Sequence, residues 1–191
     1  MKRIIFLTFL TGLISCGNEV QPKPNAYLAL KYPAAEYVFY SNDGCPYGFE
    51  KNSMAVVQPS RVGRECWLNL EYPRLKGTIF ITYQSVENNL DSLLTDAQKL
   101  PLRHTIKADA IEGSVYSNKY HNTYGMFYQV LGDAASQAQF YLTDSTSHFL
   151  TGSVYFEAQP NFDSILPAAA YLKKDIRHLM ETVKWQPNSS D

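Results

Sequence analysis

Two kinds of hydrophobic spacing divide this chain. Thr78-Ile79-Phe80-Ile81-Thr82-Tyr83 is a β-branched and aromatic run that predicts a strand. Cys66 to Tyr72 precedes it across the break Pro73-Arg74-Leu75-Lys76-Gly77, which predicts an antiparallel hairpin. Three more strands follow at Gly125 to Leu131, Gln139 to Thr143 and Phe149 to Phe156, separated by short polar loops. In the last, Leu150, Gly152, Val154 and Phe156 share one face and Thr151, Ser153 and Tyr155 the other. That alternation predicts a sheet covered on one side and partly wet on the other. Helical spacing appears twice. Asn88 and Asn89 offer N-caps for a helix with Leu90, Leu93, Leu94, Ala97 and Leu100 on one face, ended or kinked by Pro101. Ile165, Ala169, Leu172, Ile176, Leu179 and Val183 form the apolar stripe of the longest helix, with Lys173, Lys174, Asp175, Arg177 and Glu181 off it. Strands grouped with strands and helices packed across them predict an α+β fold. Its sheet is mostly antiparallel, packed by two main helices, the longest of them C-terminal.

The ends follow other rules. Lys2 and Arg3 precede an apolar stretch from Ile4 to Ile14, closed by Ser15 and Cys16, which is the make-up of a secretory signal. The stretch is shorter than the about 20 residues needed to cross a bilayer core. Leu13-Ile14-Ser15-Cys16 resembles the lipobox of bacterial lipoproteins. The resemblance implies cleavage after Ser15 and lipid on Cys16, and two or more acyl chains suffice for lasting attachment. The predicted organisation is a signal peptide over 1–15, a lipidated cysteine with a polar proline-bearing tether over 16–25, one α+β domain over 26–185, and a tail over 186–191. A domain of that size buries roughly two thirds of its unfolded surface.

Charge changes the picture little. Removing residues 1–15 takes the basic residues from 17 to 15 against 18 acidic ones, a net charge of −3. A nucleic-acid partner would want a basic face, so none is expected. Cysteine usage says more. With Cys16 acylated, Cys45 and Cys66 remain, and a lone pair in an oxidising compartment points to a disulfide. The rival readings are a thiol nucleophile paired with His104, His121, His148 or His178, and a Cys/His metal site. No Cys-x-x-Cys or His-x-x-x-His spacing supports either.

Catalytic spacing is scarce. The sequence has no Gly-x-Ser-x-Gly elbow, no phosphate-binding glycine loop, no His-Glu-x-x-His and no calcium loop. Asp144, Ser145 and His148 could pair a nucleophile with a base, but Asp and Ser in a hairpin loop more simply bond their own backbone. The aromatics offer a different chemistry: 14 Tyr and 10 Phe stand against 2 Trp. Tyr124, Tyr128, Tyr141 and Tyr155, with Asp144 and His148 beside them, make a candidate interaction surface, since Tyr combines contact area with a polar tip. Two non-catalytic readings follow, a protein-binding accessory component and a glycan- or peptidoglycan-binding periplasmic module. A hydrolase built on His148 and Asp144 is the third.

Several blocks, in order, resemble the gliding-motility lipoprotein GldD family of the Bacteroidota. They are Asp96-Ala97-Gln98-Lys99-Leu100 with Lys107-Ala108-Asp109, Tyr124 to Val130, Gln139 to Thr146, His148 to Phe156, Pro160 to Ser164, and Cys45-Pro46-Tyr47-Gly48-Phe49 with Cys66. The chain departs from the family pattern mainly around Gln58 to Arg64. The resemblance implies paired cysteines at 45 and 66 and a component of surface gliding tied to type IX protein secretion. Its implied partners are other envelope proteins of that apparatus, and the membrane through the lipid anchor. It implies no enzymatic activity, no cofactor beyond the covalent lipid, no metal and no small-molecule substrate. The topology also resembles the small α+β domains of the PsbP/Mog1 type. Gly17 after the cysteine lacks the Asp that retains many lipoproteins in an inner membrane, and Glu19 is a thin match to acidic surface-export signals. The expected place is therefore the outer membrane, lipid-anchored and facing the periplasm.

Overall fold

A computed structural model describes residues 32–102, 107–157 and 162–186, with the side chains of 162–164 left aside. The predicted signal peptide, Cys16, the predicted tether and residues 187–191 lie outside the described residues.

Among the described residues, ten strands form two antiparallel sheets. The small one runs β1 (Tyr37–Ser41), β2 (Tyr47–Asn52) and β10 (Lys184–Trp185), with β2 in the middle. The large one contains β3 (Val56–Pro59), β4 (Leu68–Tyr72), β5 (Gly77–Ser85), β6 (Ala108–Asn118), β7 (Thr123–Gly132), β8 (Ser136–Thr143) and β9 (His148–Phe156). Its order is β3-β4-β5-β9-β8-β7-β6. The α-helices among the described residues are α1 (Leu90–Leu102) and α2 (Phe162–Thr182). The predicted class is the observed one: antiparallel sheets with two helices, the C-terminal one longer.

Proline and glycine set the corners. The β4–β5 hairpin turns through one 3-10 turn at Pro73–Leu75, and Lys76 follows in the left-handed region at φ 47°. Gly77 opens β5 where a Cβ would stand 2.8 Å from Leu172 Cδ1, so the absent side chain lets α2 seat on the sheet. In β9 a Cβ at Gly152 would overlap the Phe140 ring of the paired strand.

The two faces of the large sheet are both covered, but unequally. Leu70, Ile79, Ile81, Phe140, Leu142, Leu150 and Val154 point to one face and meet Leu172, Ile176 and Leu179 of α2 and Val183 just past its end, together with Tyr47 and Phe49 of the small sheet. All six positions of the predicted α2 stripe are buried. Each fully buried Leu or Ile there stabilises by about 1.5–3 kcal/mol. On the opposite face, Leu93 and Ala97 of α1 cover Tyr141 and Phe149, with Met126 and Tyr128 packed alongside. The partly wet face expected from β9 is thus capped at its centre, and every residue of β8 is buried. None of the described helices is long and apolar enough to cross a membrane.

Candidate functional site

Three places gather polar side chains: the seam between the small sheet and α2, the β8–β9 hairpin, and the sheet face around α1.

The seam rests on a second stripe of α2. Tyr171, Asp175, His178 and Thr182 are spaced four, three and four apart, and helical geometry puts them on one line beside the apolar stripe. Asp175 is 4% exposed. Its carboxylate accepts from Tyr37 Oη at 2.7 Å and from Asn52 Nδ2 at 3.0 Å. Asn52 also donates to Tyr171 Oη at 2.9 Å. One turn on, His178 Nε2 lies 2.7 Å from Glu50 Oε2, and its ring stacks on Tyr37 at 3.6 Å. Thr182 Oγ1 then accepts the Glu50 backbone N–H at 3.0 Å. Burial pushes the Asp175 carboxyl above its ordinary range, although hydrogen bonds from Tyr37, Tyr72 and Asn52 and the nearby His178 work against it. Burial and the same carboxylate push the Tyr37 and Tyr72 phenols up.

A covalent tie holds the small sheet to the large one. Cys45 and Cys66 form a disulfide across a sequence separation of 21, with Cα atoms 5.3 Å apart. Tyr47, 1% exposed, donates to the Cys66 carbonyl at 2.7 Å. The bridge links the segment entering β2 to the segment entering β4, and so one sheet to the other.

In the hairpin, Asp144 is 9% exposed and His148 is 8% exposed. Asp144 Oδ1 accepts the backbone N–H of Thr146, Ser147 and His148 at 2.8–3.0 Å, and Oδ2 accepts from Thr146 Oγ1 at 2.9 Å. Burial alone would raise this carboxyl, but the backbone amides and the hydroxyl together outweigh it and hold it below the usual range. His148 Nδ1 shares a hydrogen bond with Tyr83 Oη at 2.8 Å, and its ring stacks on Trp185 at 5.1 Å. Burial depresses the imidazole, with Asp144 opposing. Ser145 takes a left-handed turn position at φ 69°, and its amide donates to Thr143 Oγ1. The loop spends its polar groups on its own shape.

The four tyrosines singled out by sequence share the α1 face of the sheet but not one environment. Tyr141, 6% exposed, stacks on Phe149 at 5.7 Å under α1. Tyr128 is half-buried beside it, its hydroxyl on Met126 Sδ at 3.4 Å. Tyr124 is half-buried at the second position of β7, opposite Thr143. Tyr155 lies beyond α1, edge-on to Phe80 at 5.6 Å. Of the six predicted surface residues, Tyr141, Asp144 and His148 are therefore buried, and Tyr155 lies against an exposed ring.

Sequence reasoning missed the α2 polar stripe. A signal existed in the spacing of Tyr171, Asp175, His178 and Thr182, but charged residues off an apolar stripe ordinarily mark solvent. Among the described residues no group of three or more His, Cys, Asp or Glu side chains could hold a metal ion. Open grooves of about 370 Å³ beside Met54, Tyr72 and Arg74, about 390 Å³ beside Phe80 and Tyr155, and about 480 Å³ beside the disulfide mark the surface.

The family model for gliding motility lipoprotein GldD matches residues 17–185. No curated protein matches the chain. Among solved structures, the chain is similar to the solution structure of cyanobacterial PsbP (CyanoP) from Synechocystis sp. PCC 6803, at 11% identity and a TM-score of 0.48. That alignment covers 91% of this chain and 98% of the other.

Proposed function

The chain belongs to the gliding motility lipoprotein GldD family, and from that membership we propose that it is a non-catalytic accessory or scaffold component of the gliding apparatus and its type IX secretion system. It works through contacts with other envelope proteins. Lipid on Cys16 holds it to the outer membrane on the periplasmic side, and residues 16–25 form the tether to a domain over 26–185.

The observation that carries this reading is the extent of the family match, which begins next to Cys16 and runs to the end of β10. The fate of the buried polar groups supports binding over chemistry. The Asp144 carboxylate is saturated by its own loop, and His148 is held between Tyr83 and Trp185. Asp175 is closed in by Tyr37 and Asn52. A general acid or base must reach a reacting group, and these three reach only their neighbours.

Deleting the gene and scoring colony spreading and export of type IX substrates tests the proposal. Both should fall, and both should return with the wild-type gene but not with Cys16→Ala. Normal spreading and normal export in the deletion strain would overturn it.

A further inference from the structure

The part of the large sheet that α1 leaves bare carries a groove of about 390 Å³, within the about 300–1,000 Å³ that small-molecule sites occupy. Strand register builds its floor. Asn69 of β4 lies beside Phe80 of β5, and Phe80 beside Ser153 of β9. One row along, Glu71 lies beside Thr78, and Thr78 beside Tyr155. The Phe80 and Tyr155 rings meet edge to face at 77°, and Phe80 is 38% exposed. Arg61 and Val62 of the β3–β4 loop form one wall, and Glu157 stands on the other side.

Asn69 supplies the polar group. It is 7% exposed and lines the groove, and its amide is not among the sealed side-chain atoms that lack a partner, so the amide keeps contact with water. A hydroxyl can replace such a water at little cost. Phe80, next to it, leaves a large ring open to solvent.

We propose that this groove binds a neutral saccharide. A pyranose has an apolar C–H face to lay on Phe80 and Tyr155, and hydroxyls that can both donate to and accept from the Asn69 amide. A polyanion is disfavoured, because Glu71 and Glu157 outnumber Arg61 at the rim. An extended peptide has nothing to pair with, because β4, β5 and β9 are interior strands hydrogen-bonded on both sides. This site is independent of the motility reading, and its failure would leave that reading standing.

Saturation-transfer NMR on the full lipidated chain tests it, in a detergent without a sugar headgroup. The probes are cellobiose, maltose and N,N′-diacetylchitobiose, the last for glycan strands of the amino-sugar type. At about 10 mM sugar, within reach of a shallow site, saturation should pass to the ring C–H protons of at least one probe. Phe80→Ala and Asn69→Leu should each weaken binding about tenfold, while Val115→Ala, on exposed β6, should bind as wild type. If Phe80→Ala does not fold, Phe80→Leu keeps apolar volume without the ring face and takes its place. No transfer to any of the three sugars overturns the proposal. So does binding by the Phe80 or Asn69 variants that equals wild type, or selective binding of a control peptide of extended sequence in their stead.

Discussion

Asp144 and Asp175 are both nearly sealed from solvent, yet their surroundings push them in opposite directions. Asp144 sits in a tight hairpin whose backbone amides have few other partners. Three of them and a threonine hydroxyl converge on it, and the sum overcomes burial. Asp175 sits between a helix and a sheet, where its donors are the side chains of Tyr37, Tyr72 and Asn52. Those donors come from three separate strands, and burial wins. A turn can hold a charge because its amides already point inward. A seam between elements must assemble its donors from distant parts of the chain. What the seam gains is position: only one placement of α2 against β1 and β2 brings all those partners together.

Cutting the covalent tie between the two sheets should have the largest effect. Replacing Cys45 and Cys66 together with serine should lower stability by about 3 kcal/mol, read from urea unfolding at neutral pH, while leaving the hairpin intact. Next comes the contrast between the aspartates. Asp175→Ala and Asp144→Ala should each cost about 2 kcal/mol, because each leaves several donors unpaired. The asparagine variants should separate them. Asp144→Asn should still cost about 1 kcal/mol, since charge-assisted bonds become neutral ones. Asp175→Asn should cost less than about 0.5 kcal/mol, because the anion it removes was disfavoured by burial. Equal costs for the two asparagine variants would erase the distinction.

The smallest effect is in the pH dependence, and its sign differs between the two sites. The folded Asp144 carboxyl lies below its unfolded value, so its contribution is present above about pH 4 and is lost as pH falls through the folded value. The folded Asp175 carboxyl lies above its unfolded value. Its contribution is therefore full below about pH 4 and lost as pH rises through the folded value. Relative to wild type, Asp144→Asn should lose its deficit in acid, and Asp175→Asn should gain ground towards neutral pH. Parallel stability curves for wild type and Asp175→Asn would count against a raised carboxyl at the seam.

Legibility in the sequence followed the same division between local and assembled features. The strands Thr78–Tyr83, Gly125–Leu131, Gln139–Thr143 and Phe149–Phe156 all fall inside observed strands, because each pairs with a neighbour across a short loop. The α2 stripe was equally plain. The small sheet was not. β1 and β2 are short, β10 has two residues and pairs with β2 from the far end of the chain, and β1 is too exposed to show an apolar alternation. β6 also gave no pattern, since an edge strand paired only with β7 and exposed over most of its length has no inner face to mark. At the tyrosine face, strand register puts Tyr124, Tyr128, Tyr141 and Tyr155 on one side of the sheet, whereas the sequence offers them only as a candidate surface. It could not tell which of them α1 would cover, because that depends on where a separate element docks.

The small sheet carries one consequence for how the molecule comes to exist. Its middle strand is bordered by β1 on one edge and on the other by β10, where Lys184 pairs with Gly48 and Trp185 with Tyr47. The Tyr37–Asp175 bond nearby spans 138 residues. A chain delivered amino end first holds β1 and β2 ready for most of its passage without their third strand or the helix that seats them. Loop closure over such distances is slow, and the early strands stay open until the last turn of α2 arrives. The small sheet is thereby the late part of the fold: its middle strand keeps one unpaired edge until β10 has been made.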